Sequence, residues 1–153
     1  MKQFFLLIAI SLFWLAGCNR NTAPTSSLPT VSMGIGNKTY TLEIAAKKLD
    51  RDKGLMYRDT MPEDHGMIFI FADERPWSFW MHNTRIPLDI LYLDGGGTVV
   101  SIHRMEPYVE KGIKSKGPAK YAIELNAGQA AASGVKAGDA LKLPDAVKNA
   151  RGD

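Results

Sequence analysis

Hydrophobic and polar positions divide the chain into three stretches. Residues 4–14 are apolar apart from Ser11. Residues 19–29 are rich in Asn, Thr, Ser and Pro and nearly free of large apolar side chains. From residue 30 onward, short apolar runs alternate with turn-forming residues, the pattern of a folded β-rich domain.

Within that third stretch the periodicity is specific. Val31-Ser32-Met33-Gly34-Ile35 alternates with period two, Gly36-Asn37 supplies a turn, and Tyr40, Leu42 and Ile44 line one face of a returning strand. Asp50 is placed to cap a short helix over 51–58, weakened at Gly54 by about 1 kcal/mol relative to Ala. Leu55 and Met56 would dock that helix on the sheet. Residues 67–71 form a continuous apolar run, as in a strand buried on both faces. Residues 78–81 form a further strand. Phe79 and Met81 share one of its faces and Ser78 and Trp80 the other, so one face lies outside or lines a groove.

Residues 88–93 are a strand ended by Asp94-Gly95-Gly96-Gly97, which feeds an antiparallel partner over 98–102. Residues 106–120 read as a long polar loop, 121–125 as a strand, and 128–133 as a short helix stopped by Gly134. A last strand over 140–143 precedes a frayed tail, 144–153. No regular βαβ alternation is present, which argues against a doubly wound sheet. The expectation is one α+β domain over 30–143, mostly antiparallel β, compact and barrel-like or sandwich-like, with two short helices.

The first two stretches read as an address and a tether. Lys2 gives a positive head, and the apolar run is shorter than the roughly 20 residues that span a bilayer. It ends in Leu15-Ala16-Gly17-Cys18, which resembles the bacterial lipobox. The resemblance implies a signal peptide over 1–17, cleavage before Cys18, a diacylglycerol thioether on its sulfur and acylation of the new amine with palmitate-type chains. Each buried methylene contributes about 0.8 kcal/mol, so two or three chains anchor firmly. The partner implied is the lipid bilayer, and the location is the bacterial cell envelope. Asn19 after the cysteine favours the outer membrane. Residues 18–29 then form a flexible tether.

Composition narrows the picture little. The 153 residues are 45% hydrophobic and 23% charged, ordinary for a globular chain. Cys18 is the only cysteine, so no disulfide within the chain and no cysteine metal site is possible. The net charge of +3 is too small for a dense basic face. Lys111, Lys114, Lys116 and Lys120 read as a solvated loop, with no nucleic-acid partner expected.

Four segments carry a more specific resemblance. They are Lys53-Gly54-Leu55-Met56-Tyr57-Arg58, Gly66-Met67-Ile68-Phe69-Ile70-Phe71, the run from Ser78-Phe79-Trp80-Met81-His82-Asn83-Thr84-Arg85 through Asp94, and Tyr121-Ala122-Ile123-Glu124-Leu125 with the Gly-rich stretch after it. In this order, from about Tyr40 to Leu143, they resemble domain of unknown function (DUF) family 192. The resemblance implies a compact, mostly β fold in a chain commonly exported or lipid-attached, and no established activity. His82 stands where Lys or Arg is common in the family.

Candidate chemistry centres on Trp80, Asn83, Thr84 and Asp89, either a polar pocket with an aromatic wall or a structural network at a strand corner. Asp89 lies between Leu88 and Ile90. If buried it needs a partner, for which Arg58 or Arg85 is available. Asp89 and Glu124 are the weak catalytic candidates, a carboxylate pair suited to glycoside hydrolysis if close enough. His65, His82 and His103 lack helical metal-ligand spacing, and no metal or cofactor is expected. There is no Gly-x-Ser-x-Gly elbow, and the Gly95-Gly96-Gly97 turn precedes a strand, unlike a phosphate cradle. The favoured reading is a non-catalytic accessory module that binds an envelope glycan, peptide or protein. The alternative is an envelope hydrolase using Asp89 and Glu124 or a histidine-bound metal.

Overall fold

The computed structural model describes residues 27–153. The signal segment, Cys18 and most of the tether lie outside the described residues. Strands β1 (Thr30–Ile35), β2 (Lys38–Ala45), β3 (His65–Arg75), β5 (Leu88–Leu93), β6 (Val99–Met105) and β8 (Ala119–Asn126) form one open sheet, in the order β1-β2-β3-β8-β5-β6. Strands β4 (Ser78–Phe79) and β7 (Ile113–Lys114) pair separately. The helices are α1 (Lys48–Lys53), α2 (Gln129–Ser133) and α3 (Asp145–Asn149).

All neighbours in the large sheet are antiparallel except β2 and β3, whose parallel pairing is bridged through α1. The sheet does not close into a barrel. It is covered on both faces, which makes the fold sandwich-like. On one face Leu42, Ile68, Leu91 and Ile123 pack with Ala130 of α2 and Val147 of α3. On the other, Met67, Phe69, Ile90 and Tyr92 pack with Leu55, Met81 and Ile86 from the connecting segments. Every residue of β5 is therefore buried, and its sequence reads as an almost unbroken apolar run. Backbones approach closely at Gly66, where a Cβ would lie 2.4 Å from the Glu124 carbonyl oxygen.

The differences from the sequence reading have local causes. Helix α1 begins earlier than expected, with Asp50 inside it rather than at the cap, and it ends where Gly54 turns to φ 45°. The strand expected over 78–81 stops at Phe79, because only Ser78 and Phe79 find partners, on β7. Residues 140–143 make a single bridge, Ala140 to Thr98, and no strand. Residues 144–153 are not frayed. They contain α3, a third helix, whose Val147 is fully buried, and Arg51 holds Asp153 at the end.

Candidate functional site

The face of the sheet bearing Phe69 and Phe71 is incompletely covered. Between α1, the end of β3 and β4 there is a cavity of about 510 Å³. Alternation along β3 sends Phe69 and Phe71 to the same side, and Trp77, Phe79 and Trp80 supply the remaining aromatic wall. Phe71 and Trp77 stack with centroids 4.0 Å apart, while Phe69 meets Phe79 edge-on at 4.9 Å. The Arg51 guanidinium lies over Phe71 and that of Arg75 over Trp77, so two cations flank the stacked pair.

Glu124, on β8, also lines the cavity. At its level the strand register sets Glu43, Met67, Glu124, Ile90 and His103 side by side across the sheet, facing the same way. Arg58 binds Glu43 through two hydrogen bonds, of 2.6 and 2.7 Å. Glu124 is only 5% exposed, and its carboxyl has no hydrogen bond to another described residue. Burial pushes that carboxyl up to about 8, with Arg58 pulling weakly the other way. Glu124 is thus mostly protonated at neutral pH. Burial, reinforced by Glu124, likewise raises the Tyr92 phenol, which donates to the Ile113 carbonyl. Burial, with Lys116, lowers the His103 imidazole and keeps it neutral. Trp77 Nε1 and His103 Nε2 are buried without a hydrogen-bond partner among the described residues.

The corner over residues 80–87 runs along the edge of the cavity. Trp80, 54% exposed, and the buried Thr84 line it. Asn83 is a hinge of the corner instead. It adopts φ 52°, and two other non-glycine residues, Tyr57 at 64° and Tyr108 at 61°, are also left-handed. Asn83 and Tyr57 hold each other, and Tyr108 is tied to Thr84, the next residue of the corner. Asn83 Nδ2 donates to the Tyr57 hydroxyl at 2.7 Å, Tyr57 N to the Asn83 carbonyl, and Tyr108 N to the Thr84 carbonyl. Such conformations cost about 1–3 kcal/mol each and persist only where the surroundings impose them.

Comparison with known proteins shows the family and similar folds. The family model for DUF192, described as an uncharacterised ACR, matches residues 31–143. The chain belongs to the DUF192 family. Two solved structures are similar to it. One is from Sinorhizobium meliloti 1021, described as a "putative transcription regulator", with 40% identity and a TM-score of 0.69, covering 74% of this chain and 91% of that one. The other is a protein of unknown function from Novosphingobium aromaticivorans DSM 12444, with 32% identity and a TM-score of 0.71, covering 79% of this chain and 90% of that one. No curated protein matches.

The DUF192 segments converge unevenly. Gly54, Leu55, Phe69, Phe71, Trp80 and Glu124, from all four segments, border the cavity. Asp89 does not. It pairs with Leu125, one step out of phase with Glu124, and so faces the opposite side of the sheet. There it accepts from the N–H groups of Gly128 at 2.8 Å and Ala130 at 3.0 Å, and its cation is Arg104, at 3.6 Å. The expected partners are otherwise engaged, Arg58 with Glu43 and Arg85 with Asp59. Asp89 and Glu124 therefore form no carboxylate pair. His82 binds Glu110 and His65 binds Asp64, and the described residues contain no group of three metal-ligating side chains.

Sequence reasoning missed Phe69 and Phe71 as cavity walls and Glu43 as the partner of Arg58. The signal for Glu43 was available. Leu42-Glu43-Ile44 repeats the apolar-acid-apolar pattern of Ile123-Glu124-Leu125. The placement of Asp89 makes it a structural group. Asp89→Ala is expected to lower stability by about 1–3 kcal/mol in urea unfolding, because it strands two N–H groups at the start of α2. Asp89→Asn, which keeps an acceptor oxygen, should cost less. An unchanged midpoint for Asp89→Ala would contradict this role.

Proposed function

We propose that this chain is a lipoprotein of the cell envelope whose folded domain is a non-catalytic ligand-binding module. The observation that carries the reading is a buried carboxyl, Glu124, without a hydrogen-bond partner among the described residues, lining an aromatic cavity. A buried polar group without a partner is costly, so it is retained where something outside the chain completes it. The volume of about 510 Å³ lies within the roughly 300–1,000 Å³ of small-molecule sites. Aromatic walls with one polar group match the usual make-up of such pockets. The carboxylate level with Glu124 across the sheet is Glu43, which Arg58 occupies, and this favours binding over two-carboxylate hydrolysis.

Anchoring rests on Cys18 and the leader before it, with the periplasmic face or the outer membrane as the location. The domain's ligand is drawn from the envelope, whether a free small molecule or a group displayed by a glycan, peptide or protein. A nucleic-acid role is not carried over from the Sinorhizobium neighbour. Cations at the cavity mouth are mostly matched by acids, as in Lys48–Asp52 and Arg75–Asp73, which is unlike a phosphate-tracking surface.

Native mass spectrometry of the intact protein, released in mild detergent, tests the binding reading. A discrete added mass is expected, and Trp80→Ala should remove most of it. Trp80 is exposed, so that variant should fold normally. A bare chain, or undiminished ligand in folded Trp80→Ala, would contradict the proposal. Anchoring is tested separately with Cys18→Ser. Fatty-acid labelling should disappear and the protein should leave the membrane fraction. Labelling that survives the substitution would overturn the lipoprotein assignment.

A further inference from the structure

We infer that the cavity takes a ligand with a flat, ring-sized apolar body and an uncharged oxygen acceptor at its inner end, with Glu124 donating the hydrogen bond to that oxygen. This rests on the reading of the cavity as a ligand site, and it adds the ligand's chemical class.

Charge arrangement leads to the donor role. On the sheet face behind the cavity two carboxyls, Glu43 and Glu124, stand two strands apart, and Arg58 is the guanidinium near both. Arg58 is committed to Glu43 by a two-point pair. An ionised Glu124 would therefore be a buried charge without a matched cation, which is very unfavourable. Kept as the acid it carries an O–H, and that O–H has no acceptor among the described residues. The other groups facing it supply none. Met67 and Ile90 flank it on β3 and β5, the Tyr92 hydroxyl already donates to Ile113, and His103 lies beyond Ile90 on β6. Trp77, in the same wall, holds a buried N–H donor without an acceptor among the described residues. The carboxylates of the lining, Asp52, Asp73 and Asp153, are paired with cations at the mouth, so these two inner donors are met by an occupant that brings an acceptor.

The mouth points the same way. Of its cations, Lys48 pairs with Asp52, Arg51 with Asp153 and Arg75 with Asp73. Lys53 remains without an acid partner among the described residues. One surplus positive charge at the entrance disfavours an organic cation. The stacked and edge-on rings of the wall favour a planar body.

Benzamide and benzamidine separate the classes, since they share size and shape but present a carbonyl oxygen and an amidinium respectively. Both are titrated into the full-length protein in detergent, at millimolar concentrations, following the Trp indole N–H resonances by NMR from pH 6.5 to pH 9. Benzamide should shift an indole resonance, with benzamidine much weaker. The dissociation constant for benzamide should be nearly flat up to about pH 7, about twofold higher at pH 8 and about tenfold higher at pH 9 than at pH 7, as the donor proton is lost. Glu124→Gln keeps an N–H donor, so it should retain benzamide binding and abolish the pH dependence. If that variant does not fold, the pH profile of the unmodified chain decides. Benzamidine binding that tightens with rising pH would overturn the inference and leave the pocket standing, with Glu124 as a carboxylate site for cations. No shift with either probe would overturn the inference and the ligand-site reading together.

Discussion

A sheet buried on both faces forces every carboxylate it carries to find a partner or give up its charge. Three of the sheet's acids are buried, and each meets this constraint differently. Glu43 on β2 takes the Arg58 guanidinium in a two-point pair. Asp89 on β5 takes two backbone N–H groups at the start of α2, with Arg104 beyond them. Glu124 on β8 takes neither and is held as the acid. Its folded-state value lies above its unfolded one. Its contribution therefore favours the fold fully at low pH and fades as pH rises through about 8.

The two satisfied acids are the structural ones. Asp89 ties α2 to the sheet on one face, and the Glu43–Arg58 pair ties the segment after α1 to β2 on the other. That second tie also fixes the approach of Tyr57 to Asn83, and with it the left-handed corner that carries Trp80 and Thr84 to the cavity edge. The corner thus holds the aromatic wall over the sheet while leaving Glu124 without a hydrogen-bond partner among the described residues. Stability and the candidate site draw on the same row of residues, with Arg58 matched to one acid and not to the other.

The strands and their fold class were legible because burial on one or both faces writes period-two or continuous apolar runs, as in residues 67–71 and 88–93. The two inner turns were legible for the same reason, through Gly36-Asn37 and the glycines after Asp94. The end of the chain was less readable. Val147 is a single apolar anchor in a short helix, too little periodicity to distinguish α3 from a polar tail. The candidate site was half legible. An acid between apolar strand neighbours flagged both Asp89 and Glu124, but which sheet face each occupies depends on a register that only the paired strands define. Of the candidate residues, Trp80 and Thr84 line the cavity, whereas Phe69 and Phe71 looked like core because their pattern is that of core. The pairing of Arg58 joins residues distant in sequence and left no mark in local spacing.

The account turns on the protonation state of Glu124. Carbon-detected NMR titration of its side-chain carboxyl in the full-length protein, assigned by comparison with Glu124→Gln, measures that state directly. The account predicts a midpoint near 8, with the group mostly protonated at pH 7. A midpoint in the ordinary carboxylate range near 4.5 would show a charged, solvated or partnered group and contradict it.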